Sequence, residues 1–211
     1  MSPRAEQKQQ TRQALMDAAR SLMASDRGFG SLSLREVSRA AGIVPTGFYR
    51  HFQDMEELGL ALVAEVDATF RSTLRDVRRS EFEQGGIIEA STQIFLDALT
   101  ANRNQFLFLA REQYGGSQRV RQAIASLRQQ ITDDLAADLR LINRLPHLDD
   151  AALDLVSDLV VKTVFATLPE LIDPPSASLP PHLTPENKMV QQLRFIFVGA
   201  KQWRGPGRND A

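Results

Sequence analysis

The stretch whose side chains could do the most chemistry runs from Ser31 to Phe52 and reads SLSLREVSRAAGIVPTGFYRHF. Tyr49 and His51 can donate hydrogen bonds to phosphate oxygens, and the planar fork of Arg50 matches O6 and N7 of guanine. Two plainer roles stay open: Tyr49 as a core aromatic with its hydroxyl at the surface, and Arg50 as a solvated charge. Catalytic groups are missing elsewhere. There is no cysteine, hence no thiolate nucleophile, thiolate metal site or disulfide. Neither a Gly-x-Ser-x-Gly elbow nor a His-Glu-x-x-His pair occurs. His147 and His182 fall in proline-containing breaks far apart in sequence and read as loop residues. The adjacent acids Asp133-Asp134 and Asp149-Asp150 would diverge by about 100° on a helix, so they read as solvated or capping groups. The expectation is a protein that binds rather than catalyses, with no metal and no cofactor.

Charge is distributed to suit that chemistry. The chain has 25 Lys/Arg against 26 Asp/Glu, but residues 1–52 hold eight bases and four acids. A basic head on an acidic body is a fair pattern for a DNA binder, because cationic side chains release counterions from phosphates. Alone it is weak. No apolar run is long enough to span a bilayer and the N-terminus lacks the apolar stretch of a secretory signal, so a cytoplasmic location is expected.

The elements that must position these groups are helices; strand signals are nearly absent. About nine helices are expected, making the chain all-α. Leu15, Ala18, Ala19, Leu22 and Met23 form one stripe over 6–25, which Asp26-Arg-Gly-Phe-Gly30 ends with a glycine in the left-handed conformation. Ser33-Leu-Arg-Glu36 is a capping box, with Leu32 and Val37 at hydrophobic-staple spacing. A short helix over 34–40, a turn at Gly42 and a second helix over 45–51 starting on Pro45 make the minimum of a helix-turn-helix. A glycine inside the second helix costs about 1 kcal/mol relative to alanine, and close approach of backbone to DNA would be a reason for Gly47. A helix of some 25 residues follows over 54–79, striped by Leu58, Leu62, Val66, Phe70 and Leu74. Further helices are expected over 87–101, 104–114, 118–143, 150–168 and 186–202, broken at Gly85-Gly86, Asn102-Arg-Asn104, Gly115-Gly116, Pro146 and the loop 173–181. Thr184-Pro185 starts the last.

Ala41-Gly42-Ile43-Val44, Gly47-Phe48-Tyr49-Arg50-His51-Phe52 and Glu56-Glu57-Leu58 together resemble the TetR family of repressors, over roughly residues 8–60. The resemblance implies a helix-turn-helix DNA-binding domain over 1–52 and a ligand-binding and dimerisation domain over 53–204; the residues of 205–211, Gly-Pro-Gly-Arg-Asn-Asp-Ala, read as a disordered tail. The resemblance also implies a homodimer on a palindromic double-stranded DNA operator, with no membrane partner. Tyr49 and His51 would contact phosphates, Ser33 and Arg35 the backbone or a base edge, and Thr46, Gly47 and Arg50 the bases. Val44 stands where the family usually has Ser or Thr, which removes an N-cap and a phosphate contact. Met55 stands where a lysine is common.

The version Ile-Val-Pro-Thr-Gly-Phe-Tyr-Arg-His-Phe is similar to the FabR/DesT branch of fatty-acid desaturation regulators. That similarity implies a long-chain acyl-CoA effector in an apolar cavity walled by Phe70, Phe95, Leu96, Leu99, Phe106, Leu109, Val160, Val164 and Phe165. Arg103, Arg111, Arg119 and Arg121 are candidates for its head group. The same apolar residues could equally be plain core. A repressor answering to another hydrophobic ligand, or a helical acyl-binding protein without DNA function, stays open. For dimerisation, Leu153, Val156, Val160 and Val164 on one helix and Met189, Leu193, Ile196, Phe197 and Ala200 on the last offer two apolar faces. The alternative is that both pack inside one subunit.

Overall fold

A computed structural model describes residues 3–23, 27–79, 87–143, 145–174 and 179–205. Asp26, the Gly85-Gly86 break, the side chain of Leu74 and the tail beyond Gly205 lie outside the described residues. Among those described there are nine α-helices and no strand: α1 (Pro3–Met23), α2 (Leu34–Ala40), α3 (Pro45–Phe48), α4 (Met55–Arg79), α5 (Ile87–Ala101), α6 (Arg103–Glu112), α7 (Gln118–Ile142), α8 (Asp150–Ile172) and α9 (Pro185–Gln202). None is long and apolar enough to cross a membrane.

The chain divides into two compact units. The first comprises Met1–Leu74 and Ala98–Ala125, the second Arg75–Asp97 and Ser126–Ala211. In the first, α1 buries Leu15, Met16, Ala19 and Met23, and α4 buries Leu58, Leu62 and Val66. Phe106, Phe108 and Leu109 of α6 are fully enclosed. The Phe29 ring meets Phe108 edge-on, with centroids 5.7 Å apart. Each such fully buried side chain stabilises the unit by roughly 1.5–3 kcal/mol relative to exposure.

The end of α1 differs from expectation. Gly28 has φ −72° and ψ 152°, ordinary extended backbone, and the only glycines at positive φ among the described residues are Gly42 and Gly205. No left-handed glycine cap forms at 28–30. The carbonyl of Met23 instead accepts from Arg111 Nη1 at 2.7 Å, a residue 88 positions away that no local pattern announces.

In the second unit, Asp149 caps α8 by accepting from the Ala152 N–H at 2.8 Å. The helix expected over 150–168 runs four residues further, through Pro169 to Ile172. Its last turn buries Leu168, Leu171 and Ile172, and that burial offsets the donor the proline lacks. Leu145, Leu153, Val156 and Ala200 form one buried cluster, with Val160, Ile196 and Phe197 packed against it. The two faces expected to meet a partner subunit therefore pack against each other within one chain. A different apolar face is left outside, and in the single chain it exposes Leu155 (46%) and Leu159 (42%) on α8 with Phe195 (81%) and Val198 (59%) on α9.

Candidate nucleic-acid interface

The helix-turn-helix is built by local chemistry. Ser33 Oγ accepts from the Glu36 N–H at 3.3 Å while Glu36 Oε2 accepts from the Ser33 N–H at 2.9 Å, completing the capping box. Leu32 and Val37 are both buried, as a staple requires. Arg27 Nη1 donates to Glu36 Oε1 at 3.0 Å. That bond, with those from Ser33, holds the Glu36 carboxyl at about 2, so it is ionised throughout the physiological range. The Ser33 hydroxyl gives its own proton to Glu36 Oε2 at 2.7 Å, which commits it to orienting α2.

Gly42, at φ +69°, makes the turn, and α3 follows. It is shorter than the spacing predicts, four residues from Pro45 to Phe48, with no side-chain cap from Val44. The helical path continues as turns: the Phe52 N–H donates to the Phe48 carbonyl at 3.1 Å and the His51 N–H to the same carbonyl at 2.8 Å. Phe48 and Phe52 are buried while Tyr49 is 63% exposed. That removes the reading of Tyr49 as a core ring. Arg35, Thr46 and Arg50 are also exposed.

Gly47 has a reason inside the protein. A Cβ built there would lie 2.8 Å from Cγ2 of Ile43, on a β-branched side chain with little rotamer freedom. Gly47→Ala is expected to lower stability by about 1–2 kcal/mol, the overlap outweighing the roughly 1 kcal/mol of helix propensity gained. Ile43→Ala in the same chain should recover most of it in a urea-unfolding double-mutant cycle. Full additivity would place the defect elsewhere.

The electrostatics of the head follow from which charges are spent. Arg20 pairs with Asp17 and Glu65, and Arg27 with Glu36. Asp54 and Glu57 cap α4 through the Glu57 and Gln53 N–H groups, at 2.7 and 2.5 Å. Arg4, Lys8, Arg35, Arg39 and Arg50 have no acidic partner among the described residues and all are exposed. Burial, then the charges of Lys8, Arg12 and Arg50, lower the pKa of His51. It is therefore neutral at neutral pH, with a single ring N–H to offer.

The same unit carries a junction that the sequence did not disclose. Glu112 is 4% exposed and its Oε1 accepts from the Phe29 N–H at 2.8 Å. A side chain at Gly115 would overlap the same carboxylate. Glu56 accepts from Ser117 Oγ at 2.6 Å and from Arg119 Nη1 at 3.0 Å. Arg121 Nη1 donates to the carbonyls of Gly115 and Gly116, at 2.5 and 2.9 Å. So Arg111, Arg119 and Arg121, three of the four candidates for an effector head group, are engaged by their own unit.

The nine expected effector residues divide between the units. Phe70, Leu99, Phe106 and Leu109 belong to the first and are buried, with the Phe70 and Phe106 rings 5.3 Å apart in edge contact. Phe95, Leu96, Val160, Val164 and Phe165 belong to the second, where Phe165 is buried and the others half-buried. A cleft of about 310 Å³ in the second unit lies elsewhere, lined by Lys162, Thr163, Ala166, Thr167, Glu170, Lys188 and Gln192. Lys162, Glu170 and Lys188 put charges on its wall.

A capped α2, a turn at Gly42 and an α3 edge carrying an exposed tyrosine among unpaired cations, on a helical body, define a helix-turn-helix transcription regulator. Residues 15–62 match the model of the bacterial regulatory proteins of the tetR family, and residues 84–199 that of the tetracyclin repressor-like C-terminal domain. The chain belongs to the TetR family and is a transcription regulator, not an enzyme. Solved structures share the whole fold. A TetR-family transcriptional regulator from Syntrophomonas wolfei superposes with a TM-score of 0.70 at 12% identity, covering 96% of this chain and 99% of its own. The fatty acid degradation regulator FadR from Bacillus halodurans gives 0.70 at 13% identity, covering 94% and 97%. FadR from Thermus thermophilus, a TetR-family repressor in complex with lauroyl-CoA, gives 0.58 at 17% identity, covering 95% and 98%.

Proposed function

We propose that the chain is a homodimeric repressor that grips a palindromic operator through α2 and α3 and releases or tightens it on binding a long-chain acyl-CoA. One observation carries the DNA part: the acids Asp17 and Glu36 are engaged by Arg20 and Arg27, while the cations around α3 keep their charge for a partner. In this reading Tyr49 and His51 donate to phosphates, Thr46, Gly47 and Arg50 meet the bases, and Arg35 reaches backbone or a base edge. Ser33 acts as the cap that aims α2. Tyr49→Phe is expected to weaken every operator about equally. Arg50→Ala should cost roughly 1–3 kcal/mol at one base position and relax preference there. Identical uniform losses in a mutated-operator binding series would contradict that division of roles.

Dimerisation in this reading uses the outward face of α8 and α9, where Leu155, Leu159, Phe195 and Val198 are exposed and the space beside Gly199 is open. The acyl-CoA part rests on two independent resemblances, the desaturation-regulator version of the recognition segment and the two FadR neighbours. Both concern acyl chains, one in desaturation and the other in degradation; the recognition segment favours desaturation genes as the target. Burial alone, about 0.8 kcal/mol per methylene, favours saturated and unsaturated chains alike. Shape discrimination therefore needs two packings of the wall, and a ligand shifts them only by its difference in affinity. Denaturing mass spectrometry of the purified protein should reveal a copurified acyl compound. Matched saturated and unsaturated acyl-CoA should then move the operator-binding curve differently; identical curves would end the desaturation reading and leave the operator reading intact.

A further inference from the structure

We infer that the first turns of α1 form an additional DNA-backbone subsite, in which Arg4, Lys8 and Arg12 continue the cationic edge of α3 along the operator phosphates. The inference deepens the operator-binding reading and rests on it.

The first observation is that α1 begins far ahead of its core. Its buried residues are Leu15, Met16, Ala18, Ala19 and Met23, while every residue from Pro3 to Gln10 is exposed. More than two helical turns therefore stand without a packing face to support them, although most helical stability in proteins comes from such a face.

The second is the arrangement of charge on those turns. Arg4, Lys8 and Arg12 recur every fourth residue, one above the other on a single face and about 6 Å apart along the axis. Like charges at this spacing destabilise a helix. The acid on the same turns, Glu6, is two residues from both Arg4 and Lys8, so it faces elsewhere and relieves neither. Neither Arg4 nor Lys8 has an acidic partner among the described residues. A row of repelling cations on an unsupported helix gains stability from a polyanion laid along it.

The third ties the row to the recognition segment. The Arg12 guanidinium lies over the Phe52 ring, 4.8 Å from its centroid, and Arg12 Nη1 reaches Met16 Sδ at 3.4 Å. Lys8 and Arg12 are close enough to His51 to disfavour its charged form, as Arg50 does. Lys8, Arg12 and Arg50 thus converge on His51 from two elements. The row on α1 starts where the α3 edge ends, and a phosphate strand leaving Tyr49 and His51 meets it next.

The experiment uses the full-length protein and operator duplex, with dissociation constants measured across a salt series. Each phosphate contact adds about 0.9 to the slope of log K against log salt, and a dimer carries the row twice. Arg4→Gln/Lys8→Gln should weaken operator and scrambled duplex by the same factor, tenfold or more at low salt, and flatten the slope by about two or more. Its helix content by circular dichroism should hold and its melting temperature should not fall, since the removed charges repel one another. Glu6→Gln, which changes net charge off the row, should leave the slope unchanged. An unaltered slope in the double variant, a loss confined to one base position, or an equal slope change in Glu6→Gln would overturn the subsite. Wild-type protein that binds no duplex would overturn the operator reading itself.

Discussion

Replacing Glu112 by alanine is expected to lower the unfolding free energy by about 3 kcal/mol, although the residue belongs to neither the recognition helix nor its flanks. The buried carboxylate accepts from the Phe29 N–H at 2.8 Å, and hydrogen bonds to charged groups contribute roughly 1.5–3 kcal/mol. Alanine leaves that amide without an acceptor in the interior, adding a desolvation cost of about 1–3 kcal/mol. It also opens space beside Gly28 and Gly115, against which the carboxylate packs. Glu112→Gln keeps an acceptor of the same shape and should cost no more than about half as much. Urea unfolding of the three proteins reads the difference. Because Phe29 also packs edge-on against Phe108, a loosened Phe29 should reduce operator affinity as well. An alanine variant as stable as wild type would show that water replaces the carboxylate without loss.

The second large effect concerns subunit association. Phe195→Asp is expected to convert the proposed dimer to monomer at micromolar concentration and to weaken operator binding about a thousandfold. Phe195 is 81% exposed in the single chain, one turn from the exposed Val198 on α9, while Leu155 and Leu159 are exposed on α8. A two-fold interface on this face buries it twice, and two unpaired carboxylates in an apolar interface cost several kcal/mol between them. Each 1.4 kcal/mol is a factor of ten in affinity. Sedimentation velocity gives the oligomeric state directly. Leu153→Ala, inside the subunit core, should instead lower stability while leaving a dimer. A Phe195→Asp protein that stays dimeric would move the interface to another face.

What was legible in the sequence was local. The Ser33–Glu36 box, the Leu32–Val37 staple, the Gly42 turn and the proline starts of α3 and α9 are set by residues within a few positions of one another, and all appear as expected. Helical stripes gave the elements themselves. Periodicity cannot say which partner a stripe meets, however, and α8 carries two apolar stripes. The one through Leu153 and Val156 packs on α9 within the chain, while the one through Leu155 and Leu159 stays outside. The expected end of α8 at 168 fell short because burial of Leu171 and Ile172 carries the helix past Pro169.

In the candidate interface, the residue types around Tyr49 left its exposure open, and burial of Phe48 and Phe52 decides it. The role of Gly47 against Ile43 was not readable, because it depends on how the turn folds back on itself. The contacts of Arg111 and Glu112 with residues 23–29 join positions more than eighty apart. No spacing signal spans that distance. A buried glutamate beside two glycines in the turn is the only local trace it leaves.

Selection from a pool of random duplexes with the purified protein tests the central claim, that residues 33–51 read DNA as a symmetric pair. The enriched sequences should be palindromic, with half-site centres about one helical turn or a small multiple apart. The selected site should bind two chains or a multiple of two, with affinity that falls steeply as salt rises. Enrichment of no palindrome, or equal affinity for the selected and scrambled duplexes, would contradict it.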